Sequence, residues 1–373
     1  MERQAPPTYY YATIRPMKNS QTKVYVGLSG GVDSSVTAAL LIEQGYDVTG
    51  VYMKNWSQDL PGFDCPWKED YQDAKRVAVQ LGIPFKLYDF EKEYREYVVD
   101  YMLDGYKKGI TPNPDIMCNQ EIKFKLFLRA ALADGADIIA TGHYARTQDG
   151  QLLTAANTEK DQTYFLYRVN EDALRHSLMP IGDFTTKEAV RAKAAELGLA
   201  TARKKDSQGI CFIGKVGIKE FLLHELGQQV AGNIVDQFGR TIGQHDGAIF
   251  YTIGQRQGLG IGGGLPYYVT GKDMDKNEVY VTTDLQDEKL WYGEFTLAEL
   301  HWINEVPKKG KQYQVRTRYR AELVACTLEF GVFRTGQTPA CVVKLASEVR
   351  ALTPGQSAVL YDGARVVGGG IVC

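Results

Sequence analysis

The chain has 373 residues, 44% apolar and 24% charged, with 43 lysines and arginines against 45 acids, a formal charge of −2. That length accommodates two or three domains, each with its own core, and the charge excludes a protein that coats nucleic acid by bulk attraction, leaving only a local basic patch. No run reaches the ~18 apolar residues of a membrane span, and six scattered cysteines without a C-x-x-C pair fit neither a zinc site nor a secreted disulfide framework.

Residues 1–22 carry Pro6, Pro7 and three tyrosines but no apolar h-region, which reads as a disordered tail rather than a secretory signal. The thiols are expected to be reduced, in a cytoplasmic protein. From residue 23, strand-like runs at 23–28, Asp47–Met53, Pro84–Phe90 and Asp137–Thr141 alternate with helical patterns at 35–44, 69–82, 91–106 and 120–133. The order predicts an α/β fold, a doubly wound parallel sheet whose ligand sits beyond the carboxyl ends of the strands. A further helix at 186–198 opens with the capping-box pattern Thr185-Thr186-Lys187-Glu188. Past residue 218 glycine becomes dense and strands such as Ala248–Ile253, Pro266–Thr270 and Glu278–Thr282 shorten. The last 80 or so residues read as β: Gln312–Arg318, Ala325–Phe330, Ala340–Leu345 and Ser357–Tyr361. The expected division is a tail at 1–22, a catalytic domain at 23–218, a small mixed α/β domain at 219–293 and a β-barrel-like domain at 294–373.

Gly27-Leu28-Ser29-Gly30-Gly31-Val32-Asp33-Ser34-Ser35 joins the first strand to the first helix. Adjacent glycines let backbone N–H groups converge on an anion, Ser29, Ser34 and Ser35 offer hydroxyl donors, and the helix directs its positive end there. The string is not a Walker A loop, since no G-x-x-x-x-G-K-[ST] occurs. It is similar to the PP-loop of ATP pyrophosphatases.

Between two helices, Thr111-Pro112-Asn113-Pro114-Asp115 leads to Cys118. Two prolines predict a stiff loop, and a helix starting at 120 would favour the Cys118 thiolate through its dipole. A buried structural cysteine is the alternative. Cys211, in Lys204–Gly214, has cationic neighbours that also favour thiolate, though an edge strand with an ordinary apolar cysteine fits as well. Cys65 reads as structural. Thr141-Gly142-His143-Tyr144-Ala145-Arg146 follows a strand end, where His143 would face a ligand. A formal G-x-G-x-x-G at Gly258, Gly260 and Gly263 precedes a strand rather than a helix and fails as a dinucleotide fingerprint. Lys308–Arg320 holds six cations and no acid. Arg316, Arg318 and Arg320 alternate, which predicts one basic strand face with Tyr319 beside it, either solvated or gripping RNA.

Taken in order, G-L-S-G-G-V-D-S-S at 27–35, T-P-N-P-D-x-x-C-N at 111–119, T-G-H-Y-A-R at 141–146, K-D-Q-T-Y-F-L at 160–166, K-K-D-S-Q-G-I-C-F-I-G at 204–214, Y-T-I-G-Q-R at 251–256 and T-P-G-Q-S-A-V at 353–359 resemble the tRNA-specific 2-thiouridylase family. Asp206 and Gln208 depart mildly from its pattern. The resemblance implies a PP-loop (adenine nucleotide α-hydrolase-like) domain, a central tRNA-binding domain and a β-barrel. It implies ATP, with Mg²⁺, on Gly27, Leu28, Ser29, Gly30, Gly31, Val32, Asp33 and Ser34, with Met53 and Gly142 at the adenosine. Asn113, Pro114 and Asp115 would meet the target base, the wobble uridine of an anticodon loop, with lysine, glutamate and glutamine acceptors as the tRNA set. His143, Lys160, Asp161, Gln162, Arg318, Tyr319 and Gln356 would touch tRNA. Cys118 would be the nucleophile and Cys211 the persulfide carrier, loaded by a cysteine desulfurase or sulfur relay protein and closing a Cys118–Cys211 disulfide in turnover. Asp115 would orient the base or assist proton transfer. A PP-loop amidating ligase is the enzymatic alternative, which needs no paired cysteines; an RNA-binding sulfur carrier without catalysis would not need an intact glycine loop.

Overall fold

The computed structural model describes residues 19–59, 65–205, 217–262, 264–331 and 340–373. Strands β1 (Lys23–Gly27), β2 (Asp47–Lys54), β3 (Phe85–Asp89), β4 (Ile138–Ala140) and β7 (Ser177–Leu178) form a parallel sheet in the order β3-β2-β1-β4-β7. β1 is buried on both faces, as a strand in such a sheet must be, and aligns Val26 with Gly50 on one side and Ala140 on the other. The order reverses between β1 and β4, so a crevice opens at their carboxyl ends. Helix α1 (Val32–Glu43) lies between the sheet and the helix Lys187–Glu196: Ala38 and Leu41 face the sheet cluster, Val32, Val36 and Ala39 the cluster with Val190 and Ala194.

Several expectations are corrected. Residues 19–21 form a 3₁₀ turn and Asn19 donates to the Gln44 carbonyl at 3.0 Å, so the end of the tail is ordered by its contact with the loop after α1; residues 1–18 lie outside the described residues. The Asp115–Cys118 stretch is helical rather than a loop. Pro114 occupies the first helical position after Asn113 as N-cap, where its missing N–H costs nothing. Pro114–Met117, Cys118–Phe127 and Leu128–Ala133 then run on continuously, the middle piece wound as a π-helix. Residues 248–253 are a 3₁₀ turn and coil, not a strand.

The central sheet orders β10 (Tyr268–Asp273), β11 (Glu278–Thr282), β8 (Gly232–Val235) and β9 (Thr241–His245) in that sequence. The remaining strands are β12 (Trp291–Trp302), β13 (Tyr313–Arg316), β14 (Val324–Gly331), β15 (Ala340–Arg350), β16 (Ser357–Asp362) and β17 (Arg365–Val372). They close into a six-stranded antiparallel barrel, since β12 pairs with both β15 and β17. β17 escapes sequence reading because Gly368–Gly370 carries no local strand signal; a Cβ on Gly369 would stand 2.2 Å from the Ala358 carbonyl oxygen, so the close strand contact demands glycine there. The hairpin of β5 (Ala145–Gln148) and β6 (Gln151–Thr154), which leaves the first sheet's crevice, pairs with β17 and extends the barrel sheet. Tyr164 and Tyr167 bond Ser357 at 2.8 and 3.0 Å, fastening the barrel onto the parallel-sheet domain.

Candidate functional site

At the end of β1 the chain turns through Gly30, whose φ of +73° suits glycine and whose face is pressed against α2 (Trp67–Leu81): a Cβ would stand 2.5 Å from the Asp70 carbonyl oxygen. Gly31 is the extended N-cap of α1. The Ser29 amide donates to Ser34 Oγ at 3.2 Å, while the Ser34 and Ser35 hydroxyls donate to the Gly31 carbonyl at 3.2 and 2.7 Å. The expected donors Ser34 and Ser35 therefore build the loop, and Ser35 is fully buried. What the turn offers an anion is then its orphan first-turn amides and the helix dipole. Gly142, from the loop after β4, lies directly on this turn, with an added Cβ only 2.8 Å from the Ser34 nitrogen.

Asp33 does not project free into the crevice. Lys187 Nζ reaches both its carboxylate oxygens at 2.8 Å, and the Tyr144 hydroxyl donates to Oδ1 at 3.0 Å. Lys187 is nearly buried, its side chain 9% exposed. Its helix is capped by Thr186, which accepts from the Ala189 amide. A cation in a first helical turn opposes the dipole, and that anomaly is the signal by which sequence reading could have found Lys187.

A cavity of about 720 Å³ occupies the crevice. Of the expected nucleotide residues, Gly27, Ser29, Gly31, Val32, Asp33, Ser34, Met53 and Gly142 line it. Leu28 packs into the core and Gly30 faces α2 instead. His143, Lys160, Gln162 and Tyr319 line it too. Five cations, Lys123, Lys160, Lys187, Lys205 and Arg320, surround a single carboxylate, Asp33, among the described lining residues. Such an imbalance, at a helix N-terminus, suits a polyphosphate.

His143 is buried, its Nδ1 2.8 Å from Thr141 Oγ1 and its Nε2 3.4 Å from Lys123 Nζ. Burial, then the Lys123 charge, holds it well below the usual imidazole range, so it is neutral at pH 7. Gln162 accepts from the Tyr144 amide at 2.8 Å. Asp161 accepts from the Ala155 amide and Thr163 hydroxyl at 3.0 and 2.7 Å and pairs with Arg316 at 3.4 Å.

Cys118, Asp115, Asn113 and Pro114 do not line the cavity. Cys118 is buried in the main core, and burial raises its thiol, with the Lys123 charge and the Tyr94 hydroxyl drawing it back and Asp115 raising it further. The expected dipole-favoured thiolate is thus corrected: the helix begins at Pro114, four residues before Cys118, and desolvation outweighs the dipole. Burial also raises the Asp115 carboxyl, against the pull of Lys123. The chain before it is clamped, Gln356 donating to the Thr111 carbonyl at 2.7 Å and Thr111 donating to the Pro354 carbonyl at 3.1 Å.

Cys211 lies outside the described residues. The segment leading to it is anchored at the cavity: Lys204 pairs with Asp70 and Asp73 of α2 at 2.8 and 2.6 Å, and Lys205 lines the cavity. The basic strand face is also corrected. β13 ends at Arg316, Arg320 sits at φ +63° in a turn, and the three arginines share no face. Arg318 Nη2 donates to the Ile253 and Ala351 carbonyls at 2.9 and 2.5 Å. Only Arg320, stacked 5.2 Å over Tyr319, reaches the cavity.

Family models match the chain as a tRNA methyl transferase HUP domain over residues 22–215, a tRNA methyl transferase PRC-barrel domain over 219–283 and an aminomethyltransferase beta-barrel domain over 292–372. The tRNA-specific 2-thiouridylase MnmA of Bacillus subtilis (strain 168) is 48% identical over 359 residues, covering 94% of this chain and 95% of its own length. Its namesake in Enterococcus faecalis (strain ATCC 700802 / V583) is 45% identical over 363 residues, covering 95% and 96%. Among solved structures, a 4-thiouridine synthetase–RNA complex with bound ATP aligns at TM-score 0.36 and 19% identity, covering 55% of this chain and 50% of that one. NMN synthetase from Francisella tularensis aligns at 0.34 and 19%, covering 58% and 79%. Both are too remote to bear on chemistry here.

Proposed function

The chain belongs to the tRNA-specific 2-thiouridylase family, and on that premise we propose that it is an ATP-dependent tRNA 2-thiouridine synthase acting on a wobble uridine. The observation that carries the reading is the cavity at the β1/β4 reversal, where the glycine loop, the loop after β4 and five cations converge on a space fit for a polyphosphate. The near full-length identity to enzymes of that name speaks against an amidating ligase. No helix among the described residues is long and apolar enough to cross a membrane, in keeping with a cytoplasmic enzyme that meets tRNA.

In this reading the first-turn amides of α1, Ser29, Lys187 and Lys205 hold the phosphates, and Met53 and Gly142 flank the adenosine. ATP supplies the α-phosphorus that turns the uridine C2 oxygen into an adenylate leaving group, with pyrophosphate released. The cations offset the charge that develops on departing pyrophosphate. The cavity's one described carboxylate, Asp33, is bonded by Lys187 and Tyr144, and no described group of three His, Cys, Asp or Glu could hold a metal. These residues do not fit a protein-built Mg²⁺ site, and no step here passes through that ion.

Asn113 to Asp115 receive the extruded base, which costs little in an anticodon loop. Cys211 carries the persulfide from a cysteine desulfurase or relay protein. Its outer sulfur attacks C2 as AMP leaves. Cys118 then attacks Cys211 Sγ, breaking the bond to the transferred sulfur, which stays on C2 as C=S, and forming the Cys118–Cys211 disulfide. His143, Lys160, Tyr319 and Arg320 present the RNA-facing wall. Gln162, bonded to the Tyr144 amide, belongs to the same wall, while Asp161, Arg318 and Gln356, spent on internal bonds, shape the loops behind it. Asp33→Ala, assayed by nucleoside mass spectrometry of tRNA, is expected to abolish ATP-dependent 2-thiouridine with the fold retained. Near wild-type thiolation would refute the assignment of the loop.

A further inference from the structure

Lys123 is the one described residue that lines the phosphate cavity and also acts electrostatically on both Cys118 and Asp115. Its placement follows from helix geometry. On an α-helix, residues five apart point about 140° away from each other. Cys118–Phe127 is wound as a π-helix, whose i→i+5 bonding brings residue 123 round toward the side of residue 118. Ten residues of π winding are rare and cost helical geometry, which makes the side chains they juxtapose worth explaining.

The ammonium is also held in place. Lys123 Nζ sits 3.4 Å from His143 Nε2. An ammonium can only donate, so Nε2 must accept, which puts the imidazole proton on Nδ1, facing Thr141 Oγ1 at 2.8 Å. Phe124 packs on the imidazole with ring centroids 5.7 Å apart. A neutral, fixed His143 is therefore a rest for Lys123, which keeps its charge at the cavity wall and within electrostatic reach of the thiol.

We propose that Lys123, held by neutral His143, is a positioning residue that makes Cys118 a competent nucleophile by stabilising its thiolate from the cavity side. This rests on the assignment of Cys118 under the proposed function and gives His143 an internal role beyond any contact with RNA. When Cys118 attacks, its Sγ–H proton passes to the adjacent Asp115 carboxylate, which burial makes a better acceptor than a solvated one. The thiolate then forms its bond to Cys211 Sγ while the bond from Cys211 to the transferred sulfur breaks. The described groups acting on the thiol are Lys123, Asp115 and Tyr94.

The test is the pH–rate profile of Cys118 alkylation by iodoacetamide in the full-length protein, read by peptide mass spectrometry, in wild type, Lys123→Met and Lys123→Arg. Met keeps the stem and removes the charge; Arg keeps both. The midpoint is expected to rise by about one unit in Lys123→Met, lowering the rate at pH 8 about tenfold, and to return toward wild type in Lys123→Arg. Single-turnover sulfur transfer by Lys123→Met is expected to recover as pH rises from 7.5 to 9.5. An unchanged alkylation midpoint, or a transfer defect indifferent to pH, overturns the inference. Full turnover by Cys118→Ser would sink the nucleophile assignment instead, whatever the alkylation profile shows.

Discussion

Replacing Lys187 by Met removes the ammonium that bridges both oxygens of Asp33 and keeps the buried stem. Breaking a buried ion pair by deleting one partner costs ~3–5 kcal/mol. Asp33 is 31% exposed and retains the Tyr144 hydroxyl, so solvent screening reduces the expectation to about 2 kcal/mol. For a domain of roughly 200 residues that is a fall in Tm of about 4–8 °C. The effect on catalysis should be larger, because the same ammonium lines the cavity in which the proposed function develops pyrophosphate charge; losing one such group typically costs about 10²–10³ in kcat. Differential scanning calorimetry and ATP-dependent pyrophosphate release would be measured for Lys187→Met, Asp33→Asn and the double variant. The double variant should recover much of the stability lost in Lys187→Met, since no unpaired carboxylate remains, yet stay inactive. Wild-type stability and turnover in Lys187→Met would refute the reasoning, and strictly additive stability losses would show that the two residues do not act as a pair.

Three further perturbations separate packing from chemistry. Gly142→Ala drives a Cβ into the backbone of the glycine loop, and a loss of about 1–3 kcal/mol with ATP affinity down at least about tenfold is expected by calorimetry and nucleotide titration; unchanged ATP binding would mean the two loops do not share the site. Arg318→Ala strips the Ile253 and Ala351 carbonyls of their donor and should destabilise by about 2 kcal/mol, whereas Arg320→Ala should leave Tm unchanged and weaken tRNA binding in filter assays. The reverse pattern would restore the shared basic face. Burial lowers Lys272 to about 8, its ammonium bonded to the Tyr251 carbonyl. The depressed value makes the unfolded chain bind more protons between pH 8 and 10.5, so this lysine's penalty is full below pH 8 and fades as pH rises. Lys272→Met should therefore stabilise the protein at pH 7 by roughly 1–3 kcal/mol in chemical denaturation, with the gain vanishing near pH 10.

The parallel-sheet half was legible because its signals are local. β1, the glycine loop and α1 are a contiguous strand, turn and helix, and the alternation of elements gives a parallel sheet with its ligand beyond the carboxyl ends of the strands. What escaped were arrangements set by distant partners. Pro114 is the exception: it was read as a breaker because proline excludes a helix interior, although Asn113-Pro114-Asp115 is a local helix-start pattern, a capping residue followed by proline at the first position. β17 was not called because Gly368–Gly370 carries no local strand signal: the need for glycine comes from Ala358 and His301 on neighbouring strands. The alternation of Arg316, Arg318 and Arg320 was real in sequence, but β13 ends at the first of them. In the site, backbone cradles were readable and side-chain pairings were not: Lys187 and Lys123 lie 154 and 20 residues from Asp33 and His143, their partners. The state of Cys118 was misjudged because a helix dipole can be read from neighbours, whereas burial depends on the whole core.

The central claim is coupled chemistry, sulfur insertion driven by cleavage of ATP to AMP and pyrophosphate. The purified chain, loaded with persulfide sulfur and given unmodified tRNA and [α-³²P]ATP, should be followed in a single turnover, with nucleotides separated by chromatography and tRNA nucleosides analysed by mass spectrometry. One AMP is expected for each 2-thiouridine formed at the wobble position, with none in Cys211→Ser. Formation of ADP in place of AMP, or AMP without any 2-thiouridine in tRNA, would contradict the account.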